Sequence, residues 1–383
     1  MTGGSVRAAG AIIVSVAMVA CSKSPGTPGA TLDADGGPRQ VAVTLTVAGC
    51  DPASLTIPAG PTTFNVSNRD APAVTEFEIK DGEHILGEKE NVVAGIDGSF
   101  SLDLAPGSYT TACPGGTTTP TGTLEVVAVA GSPGASAPPS SASTDAAVAA
   151  YRAYVEAQAA TLVHRVRPFT QAIEQGDLKK ATSLFAWARE PYEAIEPIAE
   201  SFGDLDPEID ARENDVPDAD WTGFHRIEKA MWVDGSLAGM APLARKLRAD
   251  VAKLNTLVAT VEIDPAQIAN GSTELLGEVS KSKITGEEDR YSHTDLWDFQ
   301  ANVDGARAGF TALAPLLRET DADLAHQIET RFAALDRTLD PYRRGDGFVL
   351  YTALTQADTR ALSQSIDALA EPLSLVAGAV VAR

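Results

Sequence analysis

Residues 129–144 read VAGSPGASAPPSSAST, and this stretch separates two parts of the chain that differ in composition. A stretch of small and polar residues that is rich in proline cannot form a buried core, so we interpret it as a linker. Before it, residues 40–128 alternate β-branched and polar residues between turn signals such as Asp97-Gly98, which predicts the short strands of an all-β sandwich. After it, residues 145–383 are rich in Ala, Leu and Glu, and their apolar spacing predicts an all-α bundle of about eight helices.

The N-terminus is predicted to be an export signal, because an arginine precedes an apolar run too short to span a bilayer. The run ends in MVAC at residues 18–21, which resembles a bacterial lipobox and predicts that Cys21 is lipidated. The alternative is an ordinary signal peptide that yields a soluble protein. Residues 22–39 are rich in Gly and Pro and predict a flexible tether. We therefore expect an extracytoplasmic protein, in the periplasm or at the cell surface, held to the membrane by a lipid anchor.

The charge of the chain favours cations as ligands. The 383 residues include 52 acidic and 30 basic side chains, for a net charge of −22 and a sequence pI near 4.6. Such a surface repels nucleic acid and anionic membranes, so no nucleic acid partner is expected. Beyond Cys21, only Cys50 and Cys113 remain. In an oxidising compartment two cysteines predict either a disulfide or a metal site.

Two short patterns in the helical part place metal-binding side chains three residues apart. GFHRIEKA contains His225 and Glu228, which on a helix share one face and could hold one metal ion. In YEAIEP, Glu193 and Glu196 are spaced in the same way, and Pro197 removes the N–H that the Glu193 carbonyl would accept, so a kink is predicted there. The alternatives are an ordinary helix contact for the first pair and a solvated face for the second.

Longer stretches carry a family resemblance. GFHRIEKA resembles the Gly-x-His-x-x-Glu signature of imelysin-like proteins. REPYEAIEPIAESFGDLDPEIDARE, from Arg189, and SKSKITGEEDRYSHTDLWDFQANVDGA, from Ser280, resemble EfeO-type iron-uptake proteins in their lipoprotein form. The resemblance covers roughly residues 41–383. It implies a multidomain chain in which a cupredoxin-like sandwich (40–128) precedes an imelysin-like helical bundle domain (145–383).

The resemblance also implies a metal site in the helical domain. Carried over position by position, its ligands are Glu193, Glu196, Asp210, His225, Glu228 and Glu288. Glu287 is the alternative to Glu288, while Tyr291 and Asp295 are expected as partners behind the ligands. Carboxylates and one imidazole form a hard, anionic set that suits Fe(III), Fe(II), Mn(II) or Ca(II). We therefore expect iron.

A second metal site is implied in the β domain. AGCDPASLTIPAG, from Ala48, and APGSYTTACPG, from Ala105, resemble the cupredoxin-like domain of EfeO-type proteins. The residues carried over from the family are Cys50, Glu76, Glu88, Glu90 and Cys113. Copper is considered for this site, with a disulfide between the cysteines as the equal alternative. A blue-copper centre is excluded, since residues 40–128 hold a single histidine and no methionine.

Taken together, the resemblance implies a non-enzymatic protein that captures iron and presents it to an iron permease, with a haem peroxidase as a further partner. The main alternative is an imelysin-like metallopeptidase. The zinc-peptidase motif His-Glu-x-x-His does not occur in the sequence. The inverted motif His-x-x-Glu-His fails at His225 because Lys229 follows Glu228, and no Gly-x-Ser-x-Gly motif is present. A structural surface lipoprotein without metal is the third hypothesis.

Overall fold

The computed structural model describes Met1, residues 38–128 and residues 142–381, apart from residues 83 and 282. The predicted signal segment with Cys21, nearly all of the predicted tether and most of the predicted linker lie outside the described residues. Those predictions remain predictions.

The first part of the chain is a sandwich of two sheets, as its alternating sequence predicts. One sheet has the strand order β2-β1-β4-β7 and the other β3-β9-β8-β5-β6. The pairs β1/β4 and β3/β9 are parallel, and the other pairs are antiparallel. The strands are β1 (Arg39–Thr46), β2 (Gly49–Asp51), β3 (Leu55–Pro58), β4 (Gly60–Asn68), β5 (Phe77–Asp81), β6 (His84–Lys89), β7 (Asp97–Leu104), β8 (Gly107–Ala112) and β9 (Thr121–Val127).

Alternate side chains of these strands fill the space between the sheets. In β1 the buried and less buried positions alternate, which is the period of a strand with one face on a core. Phe64, Phe77 and Phe100 form the centre, with ring centroids 5.2 to 6.0 Å apart. This aromatic cluster gives the small domain a core of its own.

The second part is helical, and the described residues contain eleven α-helices rather than about eight. They are α1 (Ala142–Glu174), α2 (Leu178–Glu193), α3 (Glu196–Glu200), α4 (Leu205–Asp210), α5 (Gly223–Trp232), α6 (Ala241–Leu257), α7 (Pro265–Lys281), α8 (Asp295–Thr320), α9 (Ala322–Leu339), α10 (Gln356–Leu373) and α11 (Leu375–Val381). The number is higher because short helices such as α3 and α4 follow breaks in the chain. Helix α1 begins three residues before the predicted domain boundary.

Three single-turn 3-10 segments, Lys283–Thr285, Asp340–Tyr342 and Tyr351–Ala353, connect the helices, and β10 (Arg343–Arg344) pairs with β11 (Gly347–Phe348). The stretch Gln356–Val381 is long and apolar enough to cross a membrane, but 44% of its most apolar window is buried inside the protein. Its two helices, α10 and α11, pack on α7, so we interpret them as part of the helical core.

The predicted kink beside Pro197 is present as a complete break between α2 and α3. Glu193 ends α2 and Glu196 begins α3, so the expectation that they share a face of one helix is wrong. The Glu193 carbonyl, which has no helical donor at Pro197, accepts a hydrogen bond from the Asn302 amide of α8 at 2.9 Å. Gly305 lets α8 approach this closely, since a Cβ there would lie 2.3 Å from the Ala194 carbonyl oxygen.

Sandwich and bundle are in direct contact. The Lys89 ammonium of β6 lies 2.6 and 2.7 Å from the two carboxylate oxygens of Glu274 on α7, and both side chains are largely buried. The Asn270 amide, one turn earlier on α7, donates to the Ser101 carbonyl of β7 at 2.7 Å. A buried ion pair needs both partners in place, so this contact fixes β6 against α7.

Candidate metal site

The predicted ligands of the helical domain come together where α2, α4, α5 and the segment before α8 meet. The approach of α5 to α4 depends on Gly223, which has a φ of 79°. A Cβ at this position would lie 2.1 Å from the Ile209 carbonyl oxygen of α4. Glycine in the Gly-x-His-x-x-Glu signature therefore allows the contact that sets His225 beside Asp210.

His225 is buried, and its two ring nitrogens have different surroundings. Nδ1 lies 2.9 Å from Glu228 Oε2. Nε2 lies 3.3 Å from Glu288 Oε1 and 3.7 Å from Asp210 Oδ2, and it makes no hydrogen bond to any described residue. One oxygen of Asp210, one of Glu288 and a His225 nitrogen all lie within 4.8 Å of one another, a spacing suited to a single ion.

Glu228 lies behind the imidazole rather than beside it. Its Oε1 accepts hydrogen bonds from the backbone N–H groups of Tyr291 at 3.0 Å and Ser292 at 2.7 Å, while Oε2 holds His225 Nδ1. This arrangement matches the carboxylate–histidine pairs that orient metal-binding imidazoles. A His225 nitrogen and oxygens of Glu228 and Asp289 also lie within 4.8 Å of one another, so the expectation that the His-x-x-Glu pair holds one ion stays a prediction.

Two buried cations, which the sequence analysis missed, share the site with the carboxylates. The Arg189 guanidinium is fully buried and donates to Asp210, Glu193 and Glu288, the last at 2.8 Å. The Lys283 ammonium contacts Glu193 as well and two further carboxylates, those of Glu196 and Glu278. Arg189 lies one helical turn before Glu193 in the quoted stretch, a spacing that signals an ion pair. No local pattern points to Lys283, because its partners lie on other segments.

The carboxylates of the site include two groups, those whose pKa is lowered and those whose pKa is raised. Near the His225 imidazole, Arg189 holds the pKa of Asp210 below its usual value against the effect of burial, and Lys283 and Arg212 hold that of Glu288 well below its usual value. Burial raises the pKa of Glu193 to about 7, even beside Arg189 and Lys283. Asp210 and Glu288 are therefore the carboxylates whose ionised form this site favours, and each already accepts a hydrogen bond from Arg189.

Opposing neighbours act on the pKa of His225. Burial and the nearby Arg189 lower the pKa of His225, but the carboxylates of Asp210 and Glu228 outweigh them and hold it well above its usual value. A metal ion that binds this imidazole therefore competes with protons.

The segment before α8 buries Glu288, leaves Glu287 exposed and adds acidic groups. Glu288 is 2% exposed, whereas the Glu287 side chain is 61% exposed and pairs with Arg290. Asp289 and Asp298 are fully buried beside His225 and Arg189; burial raises the pKa of Asp289 to about 6 and that of Asp298 well above its usual value. The sequence analysis did not single out either one.

The two expected outer partners both lie near this segment. The Tyr291 backbone contacts Glu228, but its hydroxyl donates to Glu213, away from the ligands. Asp295 begins α8, is buried, and accepts a hydrogen bond from the Asp289 N–H at 3.2 Å. Burial raises the pKa of Asp295 to about 7.

In the β domain the structure separates the cysteines from the predicted metal site. Cys50 and Cys113 form a disulfide, so their sulfurs are not thiolate ligands, and the expectation of a cysteine-containing metal site is corrected. Cys50 lies in β2 and Cys113 directly follows β8, so the disulfide joins the two sheets.

The three predicted glutamates do come together. Oxygens of Glu76, Glu88 and Glu90 lie within 4.8 Å of one another. Burial raises the pKa of Glu76 to about 7 and those of Glu88 and Glu90 well above their usual value, with mutual repulsion adding to the effect.

Glu90 belongs to a further acidic group at the contact between the domains. Its carboxylate lies within 4.8 Å of carboxylate oxygens of Glu200 on α3 and Glu278 on α7. Glu278 in turn lies 3.0 Å from the Lys283 ammonium of the main site. Buried and half-buried acidic side chains therefore follow one another from the imidazole of the bundle to the β6 edge of the sandwich.

The sequence matches two protein-family models and several known proteins. The imelysin family model matches residues 147–376, and the cupredoxin-like domain model matches residues 10–126. The chain is 43% identical over 345 residues to the protein named iron uptake system component EfeO in Escherichia coli strain K12, covering 88% of this chain and 91% of that protein. The proteins of the same name from Shigella sonnei and Escherichia coli O157:H7 match with the same identity and coverage.

Proposed function

This chain belongs to the imelysin family and is an EfeO-type iron uptake component, and from this premise we propose that it captures iron outside the cytoplasm and delivers it to a membrane permease. The observation that carries the proposal is the His225 Nε2 atom, buried and directed between the ionised carboxylates of Asp210 and Glu288. In this arrangement His225, Asp210 and Glu288 bind the ion, and Glu228 orients the imidazole.

The donor chemistry supports iron as the cargo. One imidazole and several carboxylates are hard ligands that suit Fe(III) and Fe(II). Structural zinc sites use four ligands dominated by Cys and His, and the described residues around His225 supply neither a cysteine nor a second histidine. Glu193 and Glu196 lie close enough to Asp210 to enlarge the ligand set, since oxygens of these three residues lie within 4.8 Å of one another.

The acidic group of the β domain supports a second cation position. Glu76, Glu88 and Glu90 offer oxygen ligands alone once the cysteines are joined in a disulfide. Oxygen ligands favour iron over Cu(I), which prefers thiolate and thioether sulfur. We propose iron for this position as well, with Cu(II) as the alternative.

We also propose that the protein is anchored to the membrane and acts with partner proteins there. Iron uptake from outside the cell needs a membrane permease, and a lipid on Cys21 would hold the protein beside it. We propose an iron permease and a haem peroxidase of the same uptake system as partners. The lipobox-like residues 18–21 support the anchor.

The same geometry argues against peptide hydrolysis. A metallopeptidase needs a carboxylate free to act as a general base on a metal-bound water. Glu228 holds His225 and accepts two backbone N–H groups, so it is committed to structure. We therefore propose a binding protein rather than an enzyme.

Metal analysis of the protein purified from its native compartment tests the proposal. We expect iron in the wild-type protein and its loss in the His225→Gln variant. His326→Gln is the matched control, because His326 is 82% exposed and also has a glutamate three residues later. Wild-type protein that carries zinc or no metal after growth with ample iron would overturn the proposal.

A further inference from the structure

Lys283 places its ammonium group where a metal cation would be expected. The Nζ atom lies 2.7 Å from Glu193 Oε2, 2.6 Å from Glu196 Oε2 and 3.0 Å from Glu278 Oε2. The residue is 2% exposed, and these three contacts come from α2, α3 and α7. An ammonium enclosed by three carboxylates from separate helices makes the same charge contacts as a bound ion.

We propose that Lys283 is a tethered cation that competes with iron for Glu193 and Glu196, so that loading of the ion expels the ammonium group from the site. This inference rests on the proposed function, because it assumes that iron enters the carboxylate cage. It assigns Lys283 the role of setting the affinity for the ion without being a ligand itself.

The ammonium and a bound ion compete for the same carboxylates. An ion on Glu193 Oε2 would lie within about 4 Å of the ammonium, which is 2.7 Å from that oxygen, and like charges this close repel strongly in a buried site. The other oxygen, Oε1, accepts from Arg189, so an ion bound there would face the guanidinium charge instead. Binding through Glu193 is thus opposed by both side-chain cations and is favoured when one of them leaves.

Lys283 is the cation that can leave. Arg189 lies in the long helix α2 and holds carboxylates on three sides, Asp210, Glu193 and Glu288. Lys283 begins a single 3-10 turn, Lys283–Thr285, between α7 and α8. Its four-carbon stem can swing outward from such a turn without breaking a helix. Return of the ammonium would then restore the charge balance when the ion departs, which favours release to a partner.

Chemical labelling of lysines tests the exchange on the unmodified full chain. Without metal, an amine-reactive acetylating reagent should leave Lys283 unlabelled and should label the exposed Lys253. With Fe(II) under anaerobic conditions, Lys283 should become labelled while the labelling of Lys253 stays unchanged. Lys283 that remains protected in iron-loaded protein would overturn the inference and leave the proposed function standing. Absence of iron binding would overturn both.

A variant gives a second readout. Lys283→Met removes the competing charge, so its affinity for Fe(II) should rise by about tenfold or more, whereas Lys283→Arg and the surface variant Lys253→Met should stay within about threefold of wild type. Unneutralised carboxylates can prevent folding of Lys283→Met without metal, and the labelling experiment then decides alone. Folded Lys283→Met that binds Fe(II) no more tightly than wild type contradicts the inference.

Discussion

At the scale of single residues, the chain contains two His-x-x-Glu pairs, of which one is buried and the other is exposed. His225 and Glu228 are buried, and their contact is 2.9 Å long. His326 and Glu329 have the same spacing on α9, but their side chains are 82% and 42% exposed and 3.9 Å apart. Spacing alone predicts the shared face of a helix in both cases. Glu228 also accepts hydrogen bonds from the backbone N–H groups of Tyr291 and Ser292, some 63 residues further along the chain, and no local pattern reveals these contacts.

The role of Glu228 as an orienting group leads to the first prediction. Glu228→Gln should weaken iron binding by about 10–100-fold and leave the number of bound ions unchanged. The oxygen of the new amide can accept a hydrogen bond from His225. Its NH2 group then faces the backbone N–H groups of Tyr291 and Ser292 and cannot accept from them, because it is itself a donor. Calorimetric titration with Fe(II) under anaerobic conditions measures both quantities.

Glu329→Gln is the control for that titration, because it changes the same residue type in the exposed pair. Loss of one bound ion in Glu228→Gln, as opposed to weaker binding, would instead make Glu228 a ligand.

At the scale of helices and strands, the sequence predicts the types of element well and their junctions poorly. Alternation predicts the sandwich, and the three-to-four spacing predicts the bundle, because both patterns are local. Pro197 correctly predicts a kink. The sequence does not show that α2 ends at Glu193, since the carbonyl freed by Pro197 is satisfied by Asn302 of α8, a contact between distant segments.

Asn302 therefore carries the second prediction. Asn302→Leu removes the donor to the buried Glu193 carbonyl, and the free energy of unfolding should fall by about 1–3 kcal/mol. Iron affinity should fall as well, because Glu193 and Glu196 flank the break. Chemical denaturation followed by circular dichroism measures the first effect.

The matched change is Gln300→Ala on the same helix, where the amide donates to Asp304 at an exposed site. Its effect should stay within about 0.5 kcal/mol. Equal stability of the two variants would show that the α2–α3 break does not depend on Asn302.

At the scale of the whole molecule, some of the acidic side chains that give the chain its net charge of −22 are buried inside the protein. Composition predicts an affinity for cations, but it cannot tell surface carboxylates from buried ones. In the structure, buried and half-buried carboxylates follow one another from His225 to Glu90 across the contact between bundle and sandwich. The sequence analysis found most of the acidic members of this set and missed both cations, Arg189 and Lys283, which balance it.

Buried carboxylates give the third prediction, a pH dependence of stability. Burial raises the pKa values of Glu193, Glu278 and Asp206 to about 7 in the metal-free protein. Between about pH 5 and 7 the native state then binds more protons than the unfolded chain, so the free energy of unfolding falls as pH rises, by at most about 1.4 kcal/mol per group and pH unit. The melting temperature without metal should therefore drop across this range.

Iron should remove or reverse this trend, because protons compete with the ion for the carboxylates and for His225, and the ion stabilises only the folded state. Thermal melts at pH 5, 6, 7 and 8, with and without Fe(II), measure the effect. A metal-free melting temperature that rises between pH 5 and 7 would show that these carboxyl groups are ionised at little cost.

The central claim is that His225 Nε2, Asp210 and Glu288 bind iron together. Anaerobic calorimetric titration of Fe(II) into wild type, His225→Gln, Glu288→Gln and the exposed-pair control His326→Gln tests it most directly. The account predicts that the first two variants lose about 100-fold or more in affinity, equivalent to about 2.7 kcal/mol, while His326→Gln binds as wild type does. Affinities of His225→Gln and Glu288→Gln within about threefold of wild type would contradict it.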